Sequence, residues 1–186
     1  MFGELGFGDT CECVDIAGNG KDTLYQFLLP EEVSHIHFKS SKEDYLFTDM
    51  AFIHSDGGVG SSKRTIKRYN YTSYFLHSFQ LTTAGGSVDP DVELRFKNNN
   101  EEVVIKVQKE QSKELTEYYK ALLCLSKAQS KNAKLLELTK IALDAHKFQM
   151  ASQNNTPHSA MTFAEMCYEK YYPTSYGAVF SKALPK

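Results

Sequence analysis

Residues 81–97 read L-T-T-A-G-G-S-V-D-P-D-V-E-L-R-F-K, and the reading of this stretch decides what the chain can be. The apolar run at 74–81 stops at two threonines and the pair Gly85-Gly86. Acids follow at every second position (Asp89, Asp91, Glu93), and Val92, Leu94 and Phe96 then alternate with Glu93, Arg95 and Lys97. A period of two marks a strand with one dry face and one wet face. Glycine permits positive φ and close backbone approach, which suits a reversal. The segment predicts strand, glycine-rich connection, strand.

Working outward, the same β pattern continues on both sides. Residues 33–38 alternate as Val33, His35, His37 against Ser34, Ile36, Phe38. Residues 45–54, Y-L-F-T-D-M-A-F-I-H, are apolar on both faces, as in one strand deep inside a sheet. A reversal, S-D-G-G-V-G-S-S, leads to 63–71, K-R-T-I-K-R-Y-N-Y, whose charges on both faces mark an edge strand. The run at 74–81 is expected to place Phe75, His77, Phe79 and Leu81 on one side. After N-N-N-E, residues 102–107 turn Val103, Ile105 and Val107 inward. Six or seven short strands at this spacing predict a sandwich or barrel. The period then changes: Leu115, Tyr118, Tyr119, Leu122 and Leu125 form a helical stripe beginning near Lys109. One such helix after the last strand closes an end that the strands leave open.

The flanks are less patterned. Glycines at 3, 6, 8, 18 and 20 argue against a long helix in the first 30 residues, although Leu24, Phe27, Leu28 and Leu29 suit a short one stopped by Pro30. Residues 126–131 are polar, and Asn132 suits the cap of a new helix carrying Leu135, Leu138, Ile141, Ala145 and Phe148. The polar run 152–157 ends it. Thr162-Phe163-Ala164-Glu165 is a capping box, with Met161 and Met166 as its staple, for a second helix running to Tyr172 and stopped by Pro173. Tyr176, Val179, Phe180 and Leu184 in the tail predict that it docks on something.

Thr83-Ala84-Gly85 followed by Asp89-Pro90-Asp91-Val92-Glu93-Leu94 resembles the T-A-G…D-x-D-x-E-L signature of the bacterial-type pleckstrin homology domain family, and Phe47-Thr48 resembles its early F-T strand. The resemblance spans roughly 31–125. It implies an α+β fold: a PH-like small antiparallel β-barrel or sandwich of about seven strands, capped by a C-terminal helix and here followed by a helical hairpin. The expected division is an N-terminal segment 1–30 packing on or leading into the barrel, a PH-like domain 31–126, and a hairpin with tail 127–186. The family implies no catalytic residues; its bacterial members look like protein-interaction and self-assembly modules.

Composition agrees with a packed domain: 186 residues, 41% hydrophobic and 24% charged. A formal net charge of -2 gives no overall case for nucleic acid or membrane. The start of the chain lacks a signal-peptide pattern, no apolar run approaches membrane-spanning length, and Cys11, Cys13, Cys124 and Cys167 are too scattered for a disulfide framework. A cytoplasmic protein is expected. Cys11 and Cys13 make half a zinc site, and His35 with His37 form a chelating pair on one strand face. Asp89, Asp91 and Glu93 form a row of oxygen donors, but each of these sets reads more simply as structure. His77 reads as a hydrogen-bonded core histidine, and Cys124 and Cys167 as buried small hydrophobes. No phosphate-binding loop, nucleophile elbow or catalytic cysteine motif is present, so neither enzyme nor cofactor is predicted.

Two surfaces stand out. Lys39, Lys42, Lys63, Arg64, Lys67 and Arg68 are candidates for binding an anionic lipid or inositol phosphate, although Glu43 and Asp44 sit among them. Tyr168, Tyr171, Tyr172, Tyr176 and Phe180 are candidates for a protein interface, with the same chain or another subunit as partner. The sequence reads as a non-catalytic interaction or scaffold module, with a peripheral lipid binder as the alternative.

Overall fold

The computed structural model describes residues 12–13, 24–40, 43–56, 63–83, 92–150 and 158–185. Strands β1 (Glu12–Cys13), β2 (Ser34–Lys39), β3 (Glu43–Thr48), β4 (Ala51–Asp56) and β5 (Thr65–Asn70) lie side by side in that order, and β6 (Leu76–Thr82), β7 (Val92–Asn98) and β8 (Glu101–Val107) form a second sheet. Every neighbouring pair is antiparallel. Among the described residues no strand pairing joins the two sheets, so the domain is a sandwich and not a closed barrel. Helix α1 (Ser112–Met150) follows a single 3-10 turn, and α2 (His158–Tyr171) and α3 (Gly177–Ala183) complete the chain.

The decisive stretch folds as read. Leu81 pairs with Leu94 and Thr82 with Glu93, while Val92, Leu94 and Phe96 are buried and Lys97 is exposed. The glycine pair, Asp89 and Asp91 lie outside the described residues, as do Cys11, Lys42 and the 57–62 reversal. Strand β5 is the outermost of its sheet, as its charges indicated.

Four expectations change. Residues 45–54 are a tight hairpin, not one strand. Thr48 Oγ1 accepts the backbone N–H of Met50 (3.0 Å) and of Ala51 (2.8 Å), and this side-chain bracket turns the chain without glycine. Strand β6 does not alternate evenly. Ser78 adopts φ 56° and the register slips between His77 and Gln80, so Leu76 takes the buried place before the bulge and Phe79 and Leu81 face the core after it. Helix α1 runs unbroken through 126–131. That segment holds no glycine or proline, and the buried Gln129 side chain accepts from Leu76 N (3.1 Å) and donates to the carbonyls of Tyr71 (3.2 Å) and Tyr74 (2.8 Å). Helix α2 begins at His158, so Thr162 is interior and not a cap.

The main core is built from the facing sides of both sheets and one face of α1. Leu115, Tyr118, Ala121, Leu122 and Leu125 are all 0–1% exposed and join Phe38, Phe47, Phe52 and Phe96 in one cluster. The helix thus closes the sandwich as its periodicity indicated. A second, smaller cluster lies on β3 and β4, where Leu46, Ala51 and Ile53 are covered by Leu24 and Leu28 around the 3-10 turn Tyr25–Phe27. Phe27 and Leu29 remain exposed. Cys167 is buried, but Cys124 faces solvent because it falls just off the α1 stripe.

Leu122→Ala is expected to lose about 2–5 kcal/mol of unfolding free energy by leaving a cavity in a filled core. Leu138→Ala, at a half-exposed position on the same helix, should stay within about 0.5 kcal/mol. Paired urea titrations check this; equal losses at the two sites would contradict the plug.

Candidate functional site

The basic residues come first because the sequence singled them out. Alternation along β5 sends them to opposite faces, and each described arginine meets a carboxylate. Arg68 makes a two-pronged pair with Glu32 at 2.9 and 3.0 Å, and the Glu32 side chain has no exposed surface. Glu32 is held further by Leu29 N (2.8 Å) and the Thr48 hydroxyl (2.5 Å). Arg64 pairs with the buried Asp44, which also lies 3.6 Å from His37 Nε2. Lys67 points the other way and meets Glu101 of β8 at 3.6 Å. Tyr69 donates to the same Glu101 at 2.9 Å, and burial together with that carboxylate pushes its phenol up to about 12. Lys63 is exposed and Lys39 half-buried at the far end of β2. Among the described residues, Arg64, Lys67 and Arg68 are turned to different carboxylates and not toward one another. Arg68 thus bridges to the segment before β2, Arg64 to β3 and Lys67 to the second sheet.

The histidine pair is also divided. A register shift between Ser34 and Ile36 lets His35 stack on Phe180 at 4.5 Å, nearly coplanar, while His37 sits edge-on to Tyr25. The two rings serve different faces of the sheet, so they form no chelating pair. His77 bridges Ser78 Oγ and the Asn99 carbonyl, both at 2.8 Å, and is only half-buried. His54 lies against Tyr45 at 4.6 Å, and burial lowers its pKa. Glu93 is held by Arg95 at 2.7 Å and Lys106 at 3.4 Å, chiefly the hydrogen bond from Arg95 keeping its carboxyl below the usual range. Among the described residues, no three of His, Cys, Asp or Glu are grouped so as to hold a metal ion.

The aromatic tail divides in two. Tyr176 and Phe180 are buried in the protein's own core, with Tyr176 edge-on to Tyr71 at 5.9 Å. The docking that the tail pattern indicated is intramolecular. Asp49, in the β3–β4 turn, makes the anchor: its carbonyl accepts from Tyr176 N (2.7 Å) and its carboxylate from Ser175 Oγ (2.6 Å) and Val33 N (2.9 Å). Tyr171 and Tyr172 are half-buried in a small pocket also lined by Phe75, Asn132, Leu136 and Pro173. Tyr168 alone of the five is exposed, stacked on Tyr172 at 4.8 Å.

What the sequence reading missed is where apolar surface stays open. Within the stripe that starts at Leu135, Leu138 and Ile141 are 53% and 59% exposed. The neighbouring α2 adds Phe163 and Met166, at 48% and 60%, and turns only Cys167 fully inward among its described side chains. The distal half of α1 and α2 thus form an arm beyond the sandwich with large apolar side chains in water. The signal was present, since a stripe on an outlying helix predicts a partner as readily as a core. Among the described residues no helix is long and apolar enough to cross a membrane.

Comparison with known proteins fits this anatomy. The family model described as Bacterial PH domain matches residues 9–126. Uncharacterized protein YvbH of Bacillus subtilis (strain 168) is 36% identical over 143 residues, covering 75% of this chain and 70% of its own. A PH-domain-containing bacterial protein from Exiguobacterium sibiricum 255-15, solved by crystallography, matches at 26% identity with a TM-score of 0.81, over 95% of this chain and 100% of that one. This likeness extends past the 9–126 match into the helices beyond it.

Arg68→Met, which strands the Glu32 carboxylate, is expected to lose about 3 kcal/mol of stability, and Lys67→Met less than about 1 kcal/mol because its pair is half-exposed. Chemical denaturation at pH 7 measures both. A neutral Arg68→Met would mean that the guanidinium is available to an external anion.

Proposed function

Because this chain belongs to the bacterial PH domain family, we propose that it is a non-catalytic protein-interaction module that acts in the cytoplasm and assembles with further copies of itself through its helical arm. One observation carries the reading: Leu138, Ile141, Phe163 and Met166 stand in solvent on adjoining helices. Exposed apolar groups concentrated on one part of a fold are characteristic of interaction surfaces. Charges of both signs lie on the same two helices, with Lys134, Glu137, Lys140 and Asp144 on α1 and Glu165 and Glu169 on α2. A two-fold arrangement sets a surface against itself, so a patch bearing both signs can complement its own copy. The sandwich supplies a rigid base for the arm.

The second reading is a peripheral binder of anionic lipid or inositol phosphate using Lys39, Lys42, Lys63, Arg64, Lys67 and Arg68. The carboxylates already engaged by Arg64, Lys67 and Arg68 weigh against it. Lys63 and Lys67 keep exposed surface that a membrane could reach.

Light scattering behind size exclusion is expected to give a species larger than one chain, reduced to the monomer by Leu138→Ser, Ile141→Ser and Phe163→Ser with thermal stability retained. A wild-type monomer at every concentration, or an unchanged assembly in the variant, contradicts the arm as the interface. Flotation with phosphatidylserine vesicles tests the second reading. Binding by the wild type that is abolished in Lys63→Ala, Arg64→Ala, Lys67→Ala and Arg68→Ala would favour it over self-assembly.

A further inference from the structure

We propose that the C-terminal segment 175–184 is a proton-released strap, with His35 as its trigger. The geometry starts from the seat. Phe180 is fully buried and lies flat on the His35 imidazole, ring centroids 4.5 Å apart and 12° from parallel. Nε2 of His35 is buried and meets no hydrogen-bond partner among the described residues. A proton arriving there would place a charged N–H at a buried atom with no acceptor among the described residues, a cost that stacking on the ring face offsets only in part.

The surroundings offer limited compensation. Asp49 faces His35 from the β3–β4 turn and favours the charged form, but its carboxylate already accepts from Val33 N and Ser175 Oγ. Glu32, preceding β2, is paired to Arg68 of β5. Tyr71 and Tyr176 stay protonated, burial raising both phenols. The only charged residue of α3 is Lys182, which is exposed. The buried face of α1 is Leu115, Tyr118, Ala121, Leu122, Leu125 and Gln129, without charge. Burial outweighs Asp49, and the imidazole is held below its ordinary value of 6.5.

The sign follows from linkage. With the strap seated, His35 binds a proton only below its lowered value; with the strap lifted, it binds near 6.5. Lifting therefore takes up a proton between those two values. Acid favours the open form there, and the closed form is fully favoured above the ordinary value. Opening also releases the Asp49–Ser175 and Asp49–Tyr176 hydrogen bonds. The upper edge of this window is the ordinary imidazole value, well above the ordinary Asp range, so the onset belongs to a histidine and not to Asp49. It holds whether or not the arm binds a second copy.

Amide hydrogen exchange of the monomeric or assembled full-length protein between pH 7.5 and 5, corrected for intrinsic rates, reads the strap directly. The amides of Tyr176, Phe180 and Leu184 are the reporters, because each is hydrogen-bonded in the seated form. Their protection is expected to fall by about tenfold per pH unit below the ordinary imidazole value, the slope for one proton, while β3 and β4 amides keep theirs. His35→Phe, which preserves the stacked ring, should abolish the slope. Ser175→Ala should lower protection roughly fivefold at every pH and leave the slope intact. A flat profile in the wild type, an unchanged slope in His35→Phe, or loss of protection by strap and strands together would each overturn the proposal. The last outcome would assign the pH dependence to global unfolding, to which the partly buried His54 also contributes.

Discussion

Two small sheets that share no strand pairing among the described residues are not joined there by a backbone ladder. In this protein the joining is done by side chains, and above all by the face of α1 from Leu115 to Leu125. A five-stranded and a three-stranded sheet leave a gap at one end, and a helix carrying leucine, tyrosine and alanine on one stripe fills it. Phe38 meets Tyr118 edge-on at 5.8 Å across that junction, and Phe47 and Phe52 meet Phe96 between the sheets. Aromatic rings suit the task because each covers a large area and still packs in a defined orientation. At the open corner the joining is polar, through Lys67, Tyr69 and Glu101. Everything outside the sandwich, from the N-terminal cover to the helical arm, takes its position from this closure.

The parts of this fold that were legible in the sequence are those written in local periodicity. Val92, Leu94 and Phe96 announce a strand by alternation, and Leu115 to Leu125 announce a helix by threes and fours. The hairpin at Asp49-Met50 was illegible because its turn is made by one threonine hydroxyl between two aromatic runs, and alternation shows no break there. The unbroken course of α1 was hidden for a different reason. Residues 126–131 look like a polar linker until Gln129 is seen bonded to a loop more than fifty positions earlier. Partners so remote in sequence leave no pattern. The same applies to Arg68 and Glu32, 36 residues apart. Within the basic strip, Arg64, Lys67 and Arg68 form bridges inside the fold whose partners the sequence did not announce.

The candidate interaction surface shows the converse. Its residues were identified as a stripe, but a stripe does not say what covers it. Leu122 and Leu138 belong to one helix and carry the same side chain, yet one is sealed between sheets and the other stands in water. The difference is set by how far α1 runs past the sandwich, about 1.5 Å for each residue. Tyr176 and Phe180 likewise share the composition of an interface, and their destination was fixed by Asp49, more than a hundred positions upstream. Chemistry was readable from residue type; address was not.

Gln129 has a mechanical consequence. One amide group fastens the middle of a 39-residue helix to two carbonyls of the loop between β5 and β6 and to the first N–H of β6. An interior pin of this kind turns α1 into a lever with its fulcrum beside Tyr71, its short end embedded among aromatic rings and its long end outside. Sideways force on the far tip is then felt as torque on the loop holding Tyr71 and Tyr74, not as bending spread along the helix. Whatever takes hold of the arm is thereby given a handle on the sandwich.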